Sequence, residues 1–310
     1  MFDTPVYKIL SSNDTANAPG KQGGILIPAD IEEFFPDIEG EITPATPTAD
    51  VDVVAVLIVD GHYRATVKTR YQYQTWGGTR SRERRLTAGL GPLTKEARKD
   101  DMVLFSRDPE KPDQMMLTLI RQNTAEYDHV VAANSGARWG VVQGLPSPAG
   151  NQQIRIAAEE IEAISSGEFS MFDNDRPVTL TPSLKKARGA AFRQKLIRAY
   201  GTKCLASGES IATPDSLLNL DAAHIVPVEV GGSDDVRNGL LLSKDLHWAF
   251  DKGLFSLADD YSILVSSFAR QSTHSEPVKR IEGHHLKLDD AVIRPHQDAI
   301  SWHRTNRFLN

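Results

Sequence analysis

The chain has 310 residues, 40% of them hydrophobic and 25% charged, with a formal net charge of -6, the balance of an ordinary globular protein long enough for two domains. It has no run of about 18 apolar residues, so no membrane span is expected, and no charged-then-apolar signal pattern opens it. Its single cysteine, Cys204, excludes an internal disulfide and a multi-cysteine zinc ribbon, and together these features predict a cytoplasmic protein.

Alternating apolar residues from Val6 to Leu10 predict a strand. The turn-rich loop SSNDTANAPGKQGG follows, then a short apolar strand from Ile25 to Ile27 that stops at Pro28. Ala29 to Phe35 reads as a short helix with Pro36 beyond its end. Val51 to Val59 suits a buried strand, and Tyr63 to Gln74 alternates as another. Arg84 to Thr87, Asp101 to Phe105 and Gln114 to Arg121 add more. Short strands with few helices predict a β-barrel or sandwich over residues 1–145. Residues 146–182 mix Pro, Gly and polar residues around one helical run, Ile154 to Ile164, as in a linker with a short helix. Residues 183–310 form the second domain. Pro182 to Tyr200 is a basic helix, with Phe192, Leu196, Ile197 and Tyr200 at helical spacing and Gly201 as its C-cap. The tail from Asp259 reads as a hairpin and then helices, including Asp289 to Phe308. The fold class expected is α+β.

Charge is spread unevenly. Gln22 to Tyr63 contains no Lys or Arg, whereas basic residues dominate Arg64 to Lys99, and Ser183 to Lys203 holds seven basic residues and no acidic one. Such patches suit contact with phosphates, although solvated faces give the same pattern.

Chemistry concentrates between Leu218 and Leu257. An apolar run closes on His224, Pro227 and a Gly-Gly turn follow, and after Asn238 comes an amphipathic helix carrying His247 and Asp251. Residues at i and i+4 share a helix face, so this imidazole and carboxylate can hold one ion, or can form a surface pair without metal. His284 and His285 are adjacent and would face opposite ways on a strand, as surface residues do. His303, beside Trp302, packs near the site or is structural. Cys204 reads as a small buried apolar residue.

AAHIVP, then Asn-Gly-Leu-Leu-Leu, then DLHWAFDKG resemble the HNH nuclease family, as do the preceding helix RGAAFRQKLIRAYGTKC and the late Trp302-His303-Arg304. The resemblance covers roughly Arg188 to Phe308. It implies a ββα-metal fold that hydrolyses phosphodiesters with one divalent ion, usually Mg2+, with Mn2+ as a substitute. His224 would be the general base, held in place by a neighbour's carbonyl. Asn238 would brace the loop between strand and helix, and His247 would ligate the ion. Many relatives place Asp or His directly before the catalytic histidine, where this chain has Ala223. The second ligand would then be Asp251 or Asp221. The set helical spacing ranks Asp251 first, and Asp221 also suits a turn or cap.

The amino-terminal pattern YKILSSNDTANAPGKQGGILIPADIEEFFP, with the later TWGGTRSRERRLTAGLGPL, resembles the effector domain of EcoRII-type restriction enzymes over about residues 5–120. That resemblance implies a pseudobarrel that grips the major groove of DNA with two loop arms. Asn13, Asp14 and Gln22 would then meet base edges. Lys21, Arg70, Arg80, Arg82 and Arg84 would read bases or hold phosphates. Ala16 and Lys21 stand where the family has Gly and often His. The Ser-Asn-Asp run also fits a turn closed by its own side-chain hydrogen bonds.

The expectation is therefore a restriction endonuclease acting on double-stranded DNA as a homodimer, with no membrane partner. A modification-dependent (methylcytosine) endonuclease and a DNA-binding regulator with an inactive nuclease domain are the alternatives.

Overall fold

A computed structural model describes residues 3–16, 24–38, 42–43, 45–75, 82–109, 111–145, 147–173, 180–212 and 218–309. The chain divides into two compact units, residues 1–154 with 181–187, and residues 155–180 with 188–310. No described helix is long and apolar enough to cross a membrane.

The first unit contains β1 (Val6–Ile9), β2 (Ile25–Ile27), β3 (Thr48–Val59), β4 (His62–Gln74), β5 (Glu83–Thr87), α1 (Gly91–Thr94), β6 (Met102–Asp108), β7 (Lys111–Ile120), α2 (Ala125–Ala133) and β8 (Trp139–Val141). Among the described residues, eight strands form one sheet in the order β2-β5-β4-β3-β7-β6-β1-β8. β3 and β7 run parallel, and the other neighbours are antiparallel. The β3–β4 hairpin reverses on Asp60 and Gly61, with φ of 52° and 74°. A two-residue turn with both residues left-handed favours Asp-Gly. The segment from Ala29 to Phe34 is a 3₁₀ helix.

Alternation along the strands decides which side chains meet. Val53, Ala55, Leu57 and Val59 of β3 join Val6, Ile25, Ile27, Tyr71, Leu86, Phe105 and Leu117 in one core. β2 and β1 stand first and seventh in the strand order, a separation of about 29 Å in a flat sheet at ~4.8 Å per strand. Yet Lys8 Nζ of β1 donates to the Leu26 carbonyl of β2 at 2.6 Å. The sheet therefore curls until a lysine side chain spans its ends, which makes an open barrel around the core. On the outer face, Tyr7, Ile9, Met102 and Ile120 pack against Tyr127 and Val130 of α2.

Helices α3 (Asn151–Ser166) and α4 (Pro182–Tyr200) precede the second unit's β9 (Leu220–His224), β10 (Gly239–Ser243) and α5 (Lys244–Asp251). β9 and β10 are antiparallel, with His224 opposite Gly239, and α5 begins where β10 ends. A Cβ on Gly239 would lie 2.7 Å from the Phe192 ring, so glycine there lets α4 close on the strand pair. The tail continues as the hairpin β11 (Phe255–Leu257) and β12 (Ile263–Val265), then α6 (Ser267–Gln271), α7 (Glu276–Lys279) and α8 (Gln297–Asn306).

Candidate active site

β9, β10 and α5 place His224, His247 and Asp251 on one cavity of about 370 Å³, which Glu229, Lys252 and Arg307 also line. The strand ends on His224, and the helix presents the other two one turn apart.

His224 is fixed on two sides. Its ring stacks on Phe192, with centroids 4.0 Å apart and planes at 11°. Its Nε2 lies 2.9 Å from Asp234 Oδ1. A backbone carbonyl is the partner expected from the sequence, and in the structure a buried carboxylate holds that position. Arg188 grips the far oxygen of Asp234 through Nε at 2.9 Å and Nη2 at 2.8 Å.

Asn238 is fully buried and ties the loop between β9 and β10. Its Oδ1 accepts from the Val226 N–H at 2.9 Å, and its Nδ2 donates to the carbonyls of Val226 at 3.1 Å and Ser233 at 2.8 Å. A Cβ at Gly232 would sit 1.8 Å from the Val226 oxygen, so the loop closes this tightly only with glycine there.

His247 stands between the two candidate carboxylates. Nδ1 is 3.5 Å from Asp221 and Nε2 is 3.4 Å from Asp251. Burial alone would lower the pKa of His247, but its hydrogen bond to Asp221 and the charges of Asp251 and Asp221 raise it above the ordinary value. At Asp221, burial is outweighed by His247, Lys244 and Arg193, and the carboxyl stays below the usual range. Asp251 is pushed up by burial and by the nearby charge of Glu229, an environment that a cation would relieve. Among the described residues, no group of three or more His, Cys, Asp or Glu side chains is arranged to hold a metal. A magnesium-type ion needs only one or two protein ligands beside phosphate and water, and His247 Nε2 with Asp251 offers that number.

Other candidates are structural. His303 is buried, stacks on Phe250 with centroids 3.7 Å apart, and bonds Ser256 Oγ at 3.0 Å and the Phe250 carbonyl at 3.2 Å. Cys204 is buried and free. His285 is exposed beside Asp260.

In the barrel unit, Asn13 is exposed on a 3₁₀ turn, Ser12–Asp14. Asp14 is buried, which replaces the expected base contact with a structural one. Its carboxylate accepts from Lys8 Nζ, the Leu26 N–H and the Ser11 N–H, each at 2.8 Å, and from the Ser11 hydroxyl at 2.7 Å. Burial works to raise its pKa, but Lys8 and these donors hold it below the ordinary value. Arg70 on β4 faces Asp50 at 3.7 Å. Arg84 on β5 is bonded to Glu32, with its guanidinium 4.5 Å from the centre of the Tyr73 ring. Arg82 is exposed. Lys21, Gln22 and Arg80 lie outside the described residues. The reading of sequence missed Asp234, Arg188 and Phe192 around His224.

Residues 204–258 match the family described as HNH endonuclease. No curated protein matches the chain. Among solved structures, the chain is similar to the modification-dependent TagI restriction endonuclease at 21% identity, over 38% of this chain and 37% of that one, with a TM-score of 0.29. It is also similar to the B3 domain of the UbaLAI restriction endonuclease, solved with cognate DNA, at 18% identity over 47% of this chain and 82% of that one, with a TM-score of 0.31. The chain thus spans little more than a third of TagI. The segment 204–258, with its strand pair and following helix, is an HNH endonuclease domain.

Proposed function

We propose that this protein is a restriction endonuclease whose barrel unit recognises a short duplex DNA site and whose HNH domain hydrolyses the backbone. The observation that carries this reading is that His224 and the His247–Asp251 pair face one cavity within the matched segment. Neutral His224 takes a proton from water. The water oxygen bonds to phosphorus, the P–O3′ bond breaks, and solvent protonates the leaving oxygen, giving 5′-phosphate and 3′-hydroxyl ends. Lys252 and Arg307 on the cavity wall attract the phosphate backbone. HNH endonucleases generally use a metal; a divalent ion, Mg2+ or Mn2+, would be held by His247 Nε2 and Asp251 and would offset charge on the phosphate and leaving oxygen. Asp221, on the opposite ring nitrogen, would orient His247, as carboxylates do for metal-bound histidines. Asn13, Arg70, Arg82 and Arg84, with Lys21, Gln22 and Arg80, are the candidate DNA contacts. One such site cuts one strand, so a double-strand break calls for a homodimer or two binding events.

The test is digestion of a sequenced genome, plain and cytosine-methylated, with end-mapping in the presence of magnesium or EDTA. Ends recurring at one short sequence, bearing 5′-phosphate and lost in EDTA, support the proposal. Cutting of methylated DNA alone supports a modification-dependent enzyme. Binding without a nick on any substrate would identify an inactive regulator and overturn the nuclease reading.

A further inference from the structure

Asp234 is buried in the loop that Asn238 ties together, and it joins two groups of opposite demand. One oxygen lies 2.9 Å from His224 Nε2. The other receives the Arg188 guanidinium at 2.8 and 2.9 Å. Arg188 is itself held by Glu160 at 3.1 Å and Asp173 at 3.6 Å. An ionised carboxylate only accepts hydrogen bonds, so the imidazole nitrogen facing it carries the proton. The other nitrogen, Nδ1, then has the lone pair. Stacking on Phe192 fixes the ring plane, which leaves rotation in that plane as the freedom Asp234 removes.

We infer that Asp234, clamped by Arg188, is a positioning residue for His224, holding the imidazole with its proton on Nε2 and its Nδ1 lone pair free to accept a proton from water. This rests on the reading of His224 as the general base. Asp234 would act twice. Before the proton transfer it selects the tautomer. After it, a carboxylate beside the imidazolium stabilises the charge that His224 has taken up. Arg188 occupies the second oxygen of Asp234 through two N–H groups and so fixes the orientation of the carboxylate. Among the described residues, the other titratable and charged side chains lining the cavity are Glu229, His247, Asp251, Lys252 and Arg307.

The experiment compares single-turnover nicking by the full chain on supercoiled plasmid and genomic DNA, across pH, for wild type, Asp234→Asn, Arg188→Gln and His224→Ala. Asp234→Asn is expected to slow nicking on the order of 100-fold with DNA affinity unchanged. The nitrogen-15 signature of the His224 ring should change with it, because an amide can face the imidazole through either its N–H or its oxygen and no longer selects the tautomer. Arg188→Gln should give a loss of roughly tenfold, because the second oxygen of Asp234 is then no longer held. A residue that merely supports the loop would lower the rate and leave the His224 tautomer as in the wild type, and that result overturns the proposal. Nitrogen-15 NMR of the wild-type histidines supplies a readout on the unaltered site. The His224 ring, assigned by its loss in His224→Ala, is expected as the Nε2–H tautomer, and an Nδ1–H tautomer refutes the inference. If His224→Ala cuts like wild type, the base assignment falls; if His224→Ala is inactive while Asp234→Asn matches wild type in rate and profile, Asp234 alone is misassigned.

Discussion

Two loops in this protein are each tied by one buried polar side chain, and the two ties differ in charge. Asn238 holds the HNH loop with a neutral amide whose oxygen and nitrogen meet backbone groups at Val226 and Ser233. Asp14 holds the first arm of the barrel with a carboxylate that needs Lys8 buried beside it. An amide supplies acceptor and donors at once and leaves no charge to neutralise. A carboxylate supplies acceptors only, so it draws a cation into the barrel, at a desolvation cost for both ions. Burial lowers the pKa of Lys8 despite its partner, which shows how much solvation that lysine has lost. The neutral tie leaves the loop's charge to Asp234, whose carboxylate meets Arg188 and His224.

Breaking the charged tie should have the largest effect. Asp14→Ala leaves Lys8 buried without its carboxylate, and urea unfolding should show a loss of about 3–5 kcal/mol. The double variant Lys8→Met with Asp14→Leu should recover most of it. If the single and double variants are equally unstable, the charge is not what distinguishes the two ties.

His303 tests the same distinction by pH. Burial pushes its pKa down to about 4 from 6.5, against the pull of the Phe250 carbonyl. The unfolded chain takes up the proton near pH 6.5 and the folded chain only near 4. The contribution is therefore complete above the upper value and is lost as pH falls through that window, by roughly 3 kcal/mol at its lower end. His303→Phe should remove this part of the acid slope; an unchanged slope in a urea series across pH would show that acid does not act by charging this neutral site.

The smallest expected loss of stability is at the neutral tie. Asn238→Ala should cost about 1–3 kcal/mol, since unmade bonds to uncharged backbone groups cost less than a stranded ion. Cleavage should nonetheless disappear, because Val226 and Ser233 lose the link that sets the loop carrying Asp234. Retained nicking in a folded Asn238→Ala protein would separate the loop's shape from catalysis.

The HNH module was legible because its chemistry is local. His224, Asn238 and His247 sit within one short stretch, and their spacing matches a strand, a loop and a helix. What the sequence hid is the non-local support. Asp234 stands in the run SDD between a glycine turn and Asn238, where any acidic residue reads as solvent-facing. Its partner Arg188 lies 46 residues away, inside a stretch whose basic residues suggested phosphate contact. Some of those residues instead make internal bonds: Arg193 Nε donates to the Leu220 carbonyl at 2.8 Å, and Lys195 pairs with Glu162. In the barrel unit, alternation exposed the long strands β3 and β4. It missed α2 and β8, whose nine and three residues carry too little periodicity to stand out. The alternative turn for Ser-Asn-Asp is the one the structure adopts, because only burial distinguishes a carboxylate that caps its own loop from one that reads a base.

That carboxylate has a consequence for how the neighbouring sequence can diverge. Ser11 enters the arm on Asp14, and the chain returns to the same group at Leu26, 12 residues later. The sequence between them, including Lys21 and Gln22, is thus a cassette with both splice points on one anion. Variants drawn from a library over residues 16–23 would keep every bond to that anchor, because its partners Lys8, Ser11 and Leu26 all lie outside that range.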